Sequence, residues 1–465
     1  MVTSNSRPAL YGRLAMAAYL LVAVAYVVIR ISTFEAARNV EFPDSPSYLE
    51  KAASPLNSAF FFDEGRFFVV PLMYKITNGV FGPGVSRLTT MQLVLSMVAW
   101  LVFAWSFSRV LSVARLGFAG FLAVLAMSLS LDVLMWDRMI LSESITFSLF
   151  VLFLAAWIQA GEGLTNRRAA MLFGASIFYG VSREANGLIL LPFAVVLLAW
   201  ALFHLRDRRR QIICAGIAAS WIVITIASTA IAHKGERWLF PLLNVIGTRV
   251  LTTPDRLAFY EAKGMPINPR LLAMKGEMAA GQDWAFYKDP ELEEFRRWIR
   301  ANGREVFSKD LTSNLGRTLR EPLVSIEEML CPILVIYNEP ARMKPVLPDV
   351  GLSRFCSPGW TRLSLLGSLG LGSLLLFLAV VMPRRFTPAT AFKMLTLAAM
   401  LLGWPPFLWF SWQVIGGMEI SRHSLSGTYE FRLAVLLLAG YVAMAVRHDL
   451  MKSDTVDTRA AVTAD

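Results

Sequence analysis

The chain is built from apolar runs close to twenty residues long, separated by short charged loops. A helix rises about 1.5 Å per residue, so about 20 apolar residues cross the ~30 Å hydrocarbon core of a bilayer. Runs of that kind lie near 10–31, 88–108, 115–134, 142–160, 168–183, 186–205, 211–232, 360–382, 390–413 and 428–447. Backbone groups in hydrocarbon must be satisfied within the segment, which leaves helices for such runs. The expected fold class is therefore an all-α polytopic membrane protein with about ten transmembrane helices. Composition agrees: 55% of the 465 residues are hydrophobic and 17% charged, with a mean hydropathy of +0.52. A soluble chain of this length needs more polar surface. The first run is too long for a signal-peptide core and is expected to stay as an anchor helix.

A net charge of +11 could suit nucleic acid, but the Lys and Arg residues gather in loops between apolar runs, so no nucleic-acid partner is expected. With the N-terminus inside, the cytoplasmic loops hold Arg109 and Arg115, Arg167 and Arg168, RDRRR at 206–210, then Arg384, Arg385 and Lys393. Arg447 and Lys452 follow on the same side, so both termini are expected in the cytoplasm. The opposite loops carry mostly single basic residues such as Arg138, Arg183 and Arg422. FFVVPLMYKITNGVFGPG (67–84) is apolar but carries Pro71, Lys75 and Asn78. A crossing there would turn every later basic loop outward, so it is expected as an amphipathic helix on the outer surface.

Four regions follow. Residues 1–232 form an N-terminal transmembrane module with a first external loop at 32–87. Residues 233–359 form an external, periplasmic loop domain, 360–447 the C-terminal transmembrane helices, and 448–465 a disordered cytoplasmic tail. Within the loop domain, DPELEEFRRWIRANGREVF reads as helix, opened by Asp289 and Pro290, with Leu292, Phe295, Trp298 and Ile299 on one face. Three cysteines exclude a disulfide framework and a zinc cluster. Cys214 reads as a small core residue, while Cys331 and Cys356 leave one disulfide or two free thiols open.

The informative polar residues cluster at outer helix ends: DSPSY (44–48), WDRMILSES (136–144), VSREANG (181–187) and GGMEISRHSLSG (416–427). Few ionisable groups fall near the middle of a run, which argues against an ion-coupled transporter. Sugar transfer from a lipid phosphate needs a carboxylate to accept the acceptor hydroxyl's proton, and cations to stabilise the departing phosphate. Asp44 could supply the first, Arg422 and His423 the second, with Glu419 orienting one of them. Each cluster also has a plainer reading. Asp44 or Ser45 could cap a helix opened by Pro46. Asp137, Arg138 and Glu143 could form a local ion pair with Ser142 as cap. Arg183–Glu184 could be an interfacial pair, and Glu419–Arg422 an i,i+3 pair on one helical turn.

In these four places the chain resembles the GT-C superfamily, integral membrane glycosyltransferases that use polyprenyl-phosphate sugars. Asp44, with Tyr48 nearby, matches the Asp that follows the first membrane helix of that family. LSES (141–144) matches its short "SE" motif, and SREANGLILLP (182–192) its "TR-x-x-G…LP" pattern, with Ser182 where Thr is common and Ala185 where Pro is frequent. SRHSLSG (421–427) matches the "RH" sequence before the last helices but lacks the proline often found soon after. The resemblance covers about 10–232 and 360–447. It implies inverting transfer from a polyprenyl-phosphate-linked sugar donor to an envelope glycan, lipid or protein acceptor, with Asp44 as base and no covalent intermediate. On this reading Tyr48, Arg138, Glu143, Arg183, Glu419, Arg422 and His423 contact substrate. Some relatives bind a divalent metal (Mg or Mn) with acids of the first two external loops, a part open here to Asp137 and Glu143. The expected location is a bacterial inner membrane, multi-pass, with the active site facing the periplasm or exterior. A polyprenyl-phosphate flippase or exporter subunit and a non-catalytic membrane scaffold are the alternatives.

Overall fold

The computed structural model describes residues 6–63, 66–111, 113–330, 342–344, 358–415 and 419–462. Among them it is all-helical, without a strand; one isolated bridge joins Val40 to Met139. The helices that frame the molecule are α1 (Ser6–Glu35), α2 (Ser45–Ala53), α3 (Val69–Phe81), α4 (Val85–Val110), α5 (Ala114–Ser128), α6 (Glu143–Gly161), α7 (Asn166–Gly180), α8 (Asn186–His204), α9 (Arg208–Lys234), α10 (Pro358–Val381), α11 (Pro388–Ile415), α12 (Ile420–His423) and α13 (Leu425–Val462).

Eight helices among the described residues are long and apolar enough to cross a membrane: α1, α4, α6, α8, α9, α10, α11 and α13. Two of the ten sequence runs take other forms. Residues 115–134 fall on α5 and the helical stretch Leu131–Arg138, which meet at a 61° bend and together are long and apolar enough for a ninth, broken span. There Ser128 Oγ and Ser130 Oγ bond back to the carbonyls of Leu125 and Met127, competing with the helix for its own backbone. The run at 168–183 becomes α7, whose 15 residues reach about 22 Å. It still returns the chain from the far end of α6 to its start, because Arg183 just beyond α7 meets Glu143, the first residue of α6. The stretch at 67–84 folds as α3, whose 13 residues reach only about 20 Å, too short to cross.

α6 is the central column, with 89% of its spanning window buried, whereas α1 buries 11% and presents Leu14, Leu20, Leu21, Val24 and Val28 outward. Two ionisable residues within the apolar helices are paired with acids of the 131–138 segment: Arg30 of α1 with Asp137, and Arg432 of α13 with Asp132. α13 runs on to Val462, into the region expected as a disordered tail, since no Gly or Pro follows Gly440 to stop it.

The segment after α9 is helical with its own core, in which Leu292, Phe295 and Ile299 are buried as expected and Asp289 accepts the Glu291 amide at 3.0 Å. It is tied to the end of α11. Arg249 donates to the Trp412 carbonyl (2.8 Å) with its guanidinium carbon 4.1 Å from the Trp412 ring, while Trp409 and Gln413 donate to the Thr318 carbonyl at 3.0 and 2.8 Å. Cys214 is buried and free; Cys331 and Cys356 lie outside the described residues.

Candidate functional site

The loop after α1 is stitched onto the segment before α6. The Val40 amide donates to the Arg138 carbonyl (2.9 Å) and the Ile140 amide to the Val40 carbonyl (3.1 Å). Ser45 Oγ accepts the Phe42 amide at 2.8 Å and donates to the Ile140 carbonyl at 2.7 Å. From α3, the Tyr74 hydroxyl reaches Gln92 Oε1 (2.6 Å) and the Leu141 carbonyl (3.0 Å). These bonds fix where α2 begins relative to α6.

Asp44 occupies the N-cap position of α2, yet its side chain caps nothing. Its carboxylate turns instead to two guanidiniums. Arg66 Nη2 lies 2.5 Å from Oδ1, and both terminal nitrogens of Arg422 lie 3.3 Å from Oδ2. The Asp44 side chain stays 40% exposed, so it is held by cations while open to solvent.

Arg422, buried on α12, is the hub. Its Nε lies 2.7 Å from Glu143 Oε1 and its Nη1 2.8 Å from Glu419 Oε2. Arg183 Nη1 approaches the same Glu143 oxygen at 3.4 Å. Glu419, the cap of α12, has left-handed backbone (φ 47°), uncommon for a side-chain-bearing residue. Arg66 donates to Ser47 Oγ at 2.8 Å and lies with its guanidinium carbon 4.7 Å from the Tyr48 ring. Beyond it, Glu184 pairs with Arg237 at 2.7 Å. Four carboxylates and four guanidiniums from distant parts of the chain thus share one region.

Electrostatics follow from that balance. Burial disfavours the charged form of Arg422, but Glu143, Glu419 and Asp44 more than offset it and raise its pKa well above the usual arginine value. Burial likewise acts against Arg66, and Tyr48 and Asp44 again raise it. His423 has the opposite fate: burial, then the neighbouring Arg422 and Arg183 charges, push its imidazole well below the usual value and keep it neutral. Glu184 would be raised by burial, but Arg237 and a backbone amide hold it below the usual carboxylate range.

Asp44, Tyr48, Glu143, Arg183, Glu419 and Arg422 are therefore brought together, with His423 beside them. Two other sequence candidates bind elsewhere. Arg138 donates from Nε (2.7 Å) and Nη2 to the Phe34 carbonyl and from Nη1 to Asn39 Oδ1 (2.7 Å), its guanidinium carbon 3.3 Å from the Phe34 ring. It anchors the loop. Asp137 pairs with Arg30 and accepts from Ser144 Oγ at 2.6 Å. Among the described residues no group of three or more His, Cys, Asp or Glu side chains could hold a metal. Asp137 and Glu143 face the guanidiniums of Arg30 and Arg422. Arg66 and Arg237 are members of the cluster that sequence reasoning missed, and Glu184, read there as a partner of Arg183, pairs with Arg237.

An apolar groove of about 460 Å³ lies beside the cluster, between α10, α11 and the 315–330 helices; Leu323, Met329, Leu365, Trp404 and Trp409 line it. Ser424 Oγ and Thr428 Oγ1 both donate to the Met329 carbonyl, at 2.9 and 2.8 Å, which ties the groove wall to the turn after Arg422. No protein-family model matches the chain, and no curated protein matches it.

Proposed function

We propose that this chain is an inverting integral membrane glycosyltransferase of GT-C type, moving a sugar from a polyprenyl-phosphate donor to an envelope glycan, lipid or protein acceptor at the outer face of a bacterial inner membrane. One observation carries the reading. Asp44 sits where a helix cap belongs, but its half-open carboxylate is turned onto Arg66 and Arg422. A cap has no use for two guanidiniums, whereas a base and a phosphate site need both partners within reach of one substrate.

The acceptor hydroxyl oxygen attacks the anomeric carbon as Asp44 takes its proton. The bond from that carbon to the phosphate oxygen breaks, and its electron pair stays on the phosphate. Arg422 and Arg66 compensate the charge that grows there, and the neutral imidazole of His423 supplies a hydrogen bond without adding a cation. An incoming donor phosphate competes with Asp44 for the two guanidiniums, so donor binding itself frees the base. The apolar groove suits the hydrocarbon chain of the donor, since it begins next to the turn that carries Arg422.

A second reading, binding of a lipid phosphate without transfer, is favoured by the pairing of both Asp44 oxygens with guanidiniums. Transfer of labelled sugar from polyprenyl-phosphate donors to an envelope extract, with donor binding measured alongside, separates the two. Asp44→Asn is expected to abolish transfer and to keep donor binding. Full transfer by Asp44→Asn removes Asp44 as base. A parent protein that binds polyprenyl phosphate and transfers nothing belongs to the second reading.

A further inference from the structure

Among the described residues, Glu430 of α13 is the carboxyl group whose two oxygens are both buried without a hydrogen-bond partner, and the residue is 0% exposed. It stands apart from the ion-pair cluster, in the first turns of an apolar helix. Opposite it on α11 is Gly403, where a Cβ would come within 2.8 Å of Glu430 Oε1 and 3.2 Å of the Pro192 ring of α8. A missing side chain on one helix thus provides the room for the carboxyl, and a proline on another borders it.

The same two helices also carry carbonyls without helical donors. Pro192 inside α8 and Pro405–Pro406 inside α11 have no N–H, so the carbonyls of Leu188, Leu401 and Leu402 lack their helical donors. From α7, the Tyr179 hydroxyl is buried and likewise without a partner, within electrostatic reach of both Glu430 and Arg183. Among the described residues no cation answers the carboxyl. α8 and α11 present Pro192 and Gly403, and Arg432, two positions along α13, is held by Asp132. An ionised carboxylate without a partner is strongly disfavoured in such surroundings, and a neutral carboxylic acid far less so.

We propose that Glu430 is a proton-binding site inside the helical bundle, a carboxylic acid that carries its proton at neutral pH and donates it to a carbonyl freed by the flanking prolines. Loss of that proton would place a negative charge within electrostatic reach of Tyr179, whose hydroxyl is also within reach of Arg183. Arg183 is the guanidinium that shares Glu143 with Arg422.

The test is infrared difference spectroscopy on the full chain in liposomes, parent against Glu430→Gln, at neutral pH and in both light and heavy water. The expected result is loss in the variant of a carbonyl stretch of undissociated carboxylic acid, a band that shifts in heavy water. Glu430→Asp, which keeps an acid at the position, is expected to retain such a band at a displaced frequency. A difference spectrum that instead loses the paired stretches of an ionised carboxylate overturns the proposal. So does a Glu430→Asp variant that shows only ionised carboxylate there.

Discussion

Arg66 Nη2 lies 2.5 Å from Asp44 Oδ1 while the same guanidinium covers the Tyr48 ring. Arg422 faces three carboxylates, but Asp44 is the carboxylate paired with Arg66. On the proposed function, Arg66 is therefore the cation that a donor phosphate would draw away at least cost. Arg66→Ala is expected to raise the donor KM about 10-fold, equal to about 1.4 kcal/mol of binding, with a smaller change in kcat. Arg66→Lys keeps the charge but not the fork that spans Asp44 and Ser47, and should fall between. A fall in kcat at constant KM would instead make Arg66 a positioning residue for Asp44.

Glu143 and Arg422 should matter for folding as well as for any reaction. The Glu143 side chain is fully buried and that of Arg422 is 5% exposed, so removing Glu143 takes away the one fully buried carboxylate of Arg422 and leaves it only the part-exposed Asp44 and Glu419. Glu143→Gln is expected to cost about 3–5 kcal/mol, seen as a lower thermal midpoint in detergent. Glu419→Gln removes a carboxylate that is 31% exposed and should cost about 1 kcal/mol or less. Equal losses for the two would contradict the burial difference.

His423 gives the site a pH dependence with a definite sign. Its imidazole is held below the unfolded value of about 6.5 by burial and then by Arg422 and Arg183. Between its lowered folded value and about 6.5, the unfolded chain binds a proton that the folded chain refuses. Its contribution to stability is therefore full above about 6.5, declines as pH falls below that, and levels off below the folded value. Thermal midpoints measured from neutral to acid pH should show this decline, and His423→Gln should flatten it. An unchanged slope in the variant would assign the decline to other groups.

Much of the fold was legible because hydropathy is a local property. All eight long apolar helices coincide with predicted runs. The bend after α5 was not legible, since serine barely lowers hydropathy even where its hydroxyl takes over a backbone carbonyl. The site was half legible. Sequence position put Asp44, Glu143, Arg183 and Arg422 at helix ends, but local spacing could not separate a cap from a tertiary ion pair whose partners are 378 positions apart. Arg138 and Arg183 look alike as single arginines in loops between apolar runs. The Val40–Met139 bridge turns the first into a loop anchor. Arg66 follows a run of phenylalanines and acidic residues with no motif of its own, and only the fold brings it to Asp44. Glu430 lies just past a polar cluster with nothing in the sequence to single it out; that it faces Gly403 is a fact of packing between helices.

The groove beside the cluster makes the last prediction. Leu323 and Leu365 line it from two different elements, together with Trp404 and Trp409. If it receives the hydrocarbon chain of a lipid donor, filling it should weaken long-chain donors and leave the headgroup site untouched. Leu365→Trp adds bulk from α10 without touching Asp44, Arg66 or Arg422. It is expected to raise the KM for a long polyprenyl-phosphate donor about 10-fold, again about 1.4 kcal/mol, while a donor with a short isoprenoid tail binds as it does to the parent. Quenching of tryptophan fluorescence by brominated lipid phosphate gives an independent reading, because Trp404 and Trp409 share the wall. Equal weakening for long and short donors would mean that the substitution distorts the cluster, and no change for either would place the chain outside the groove.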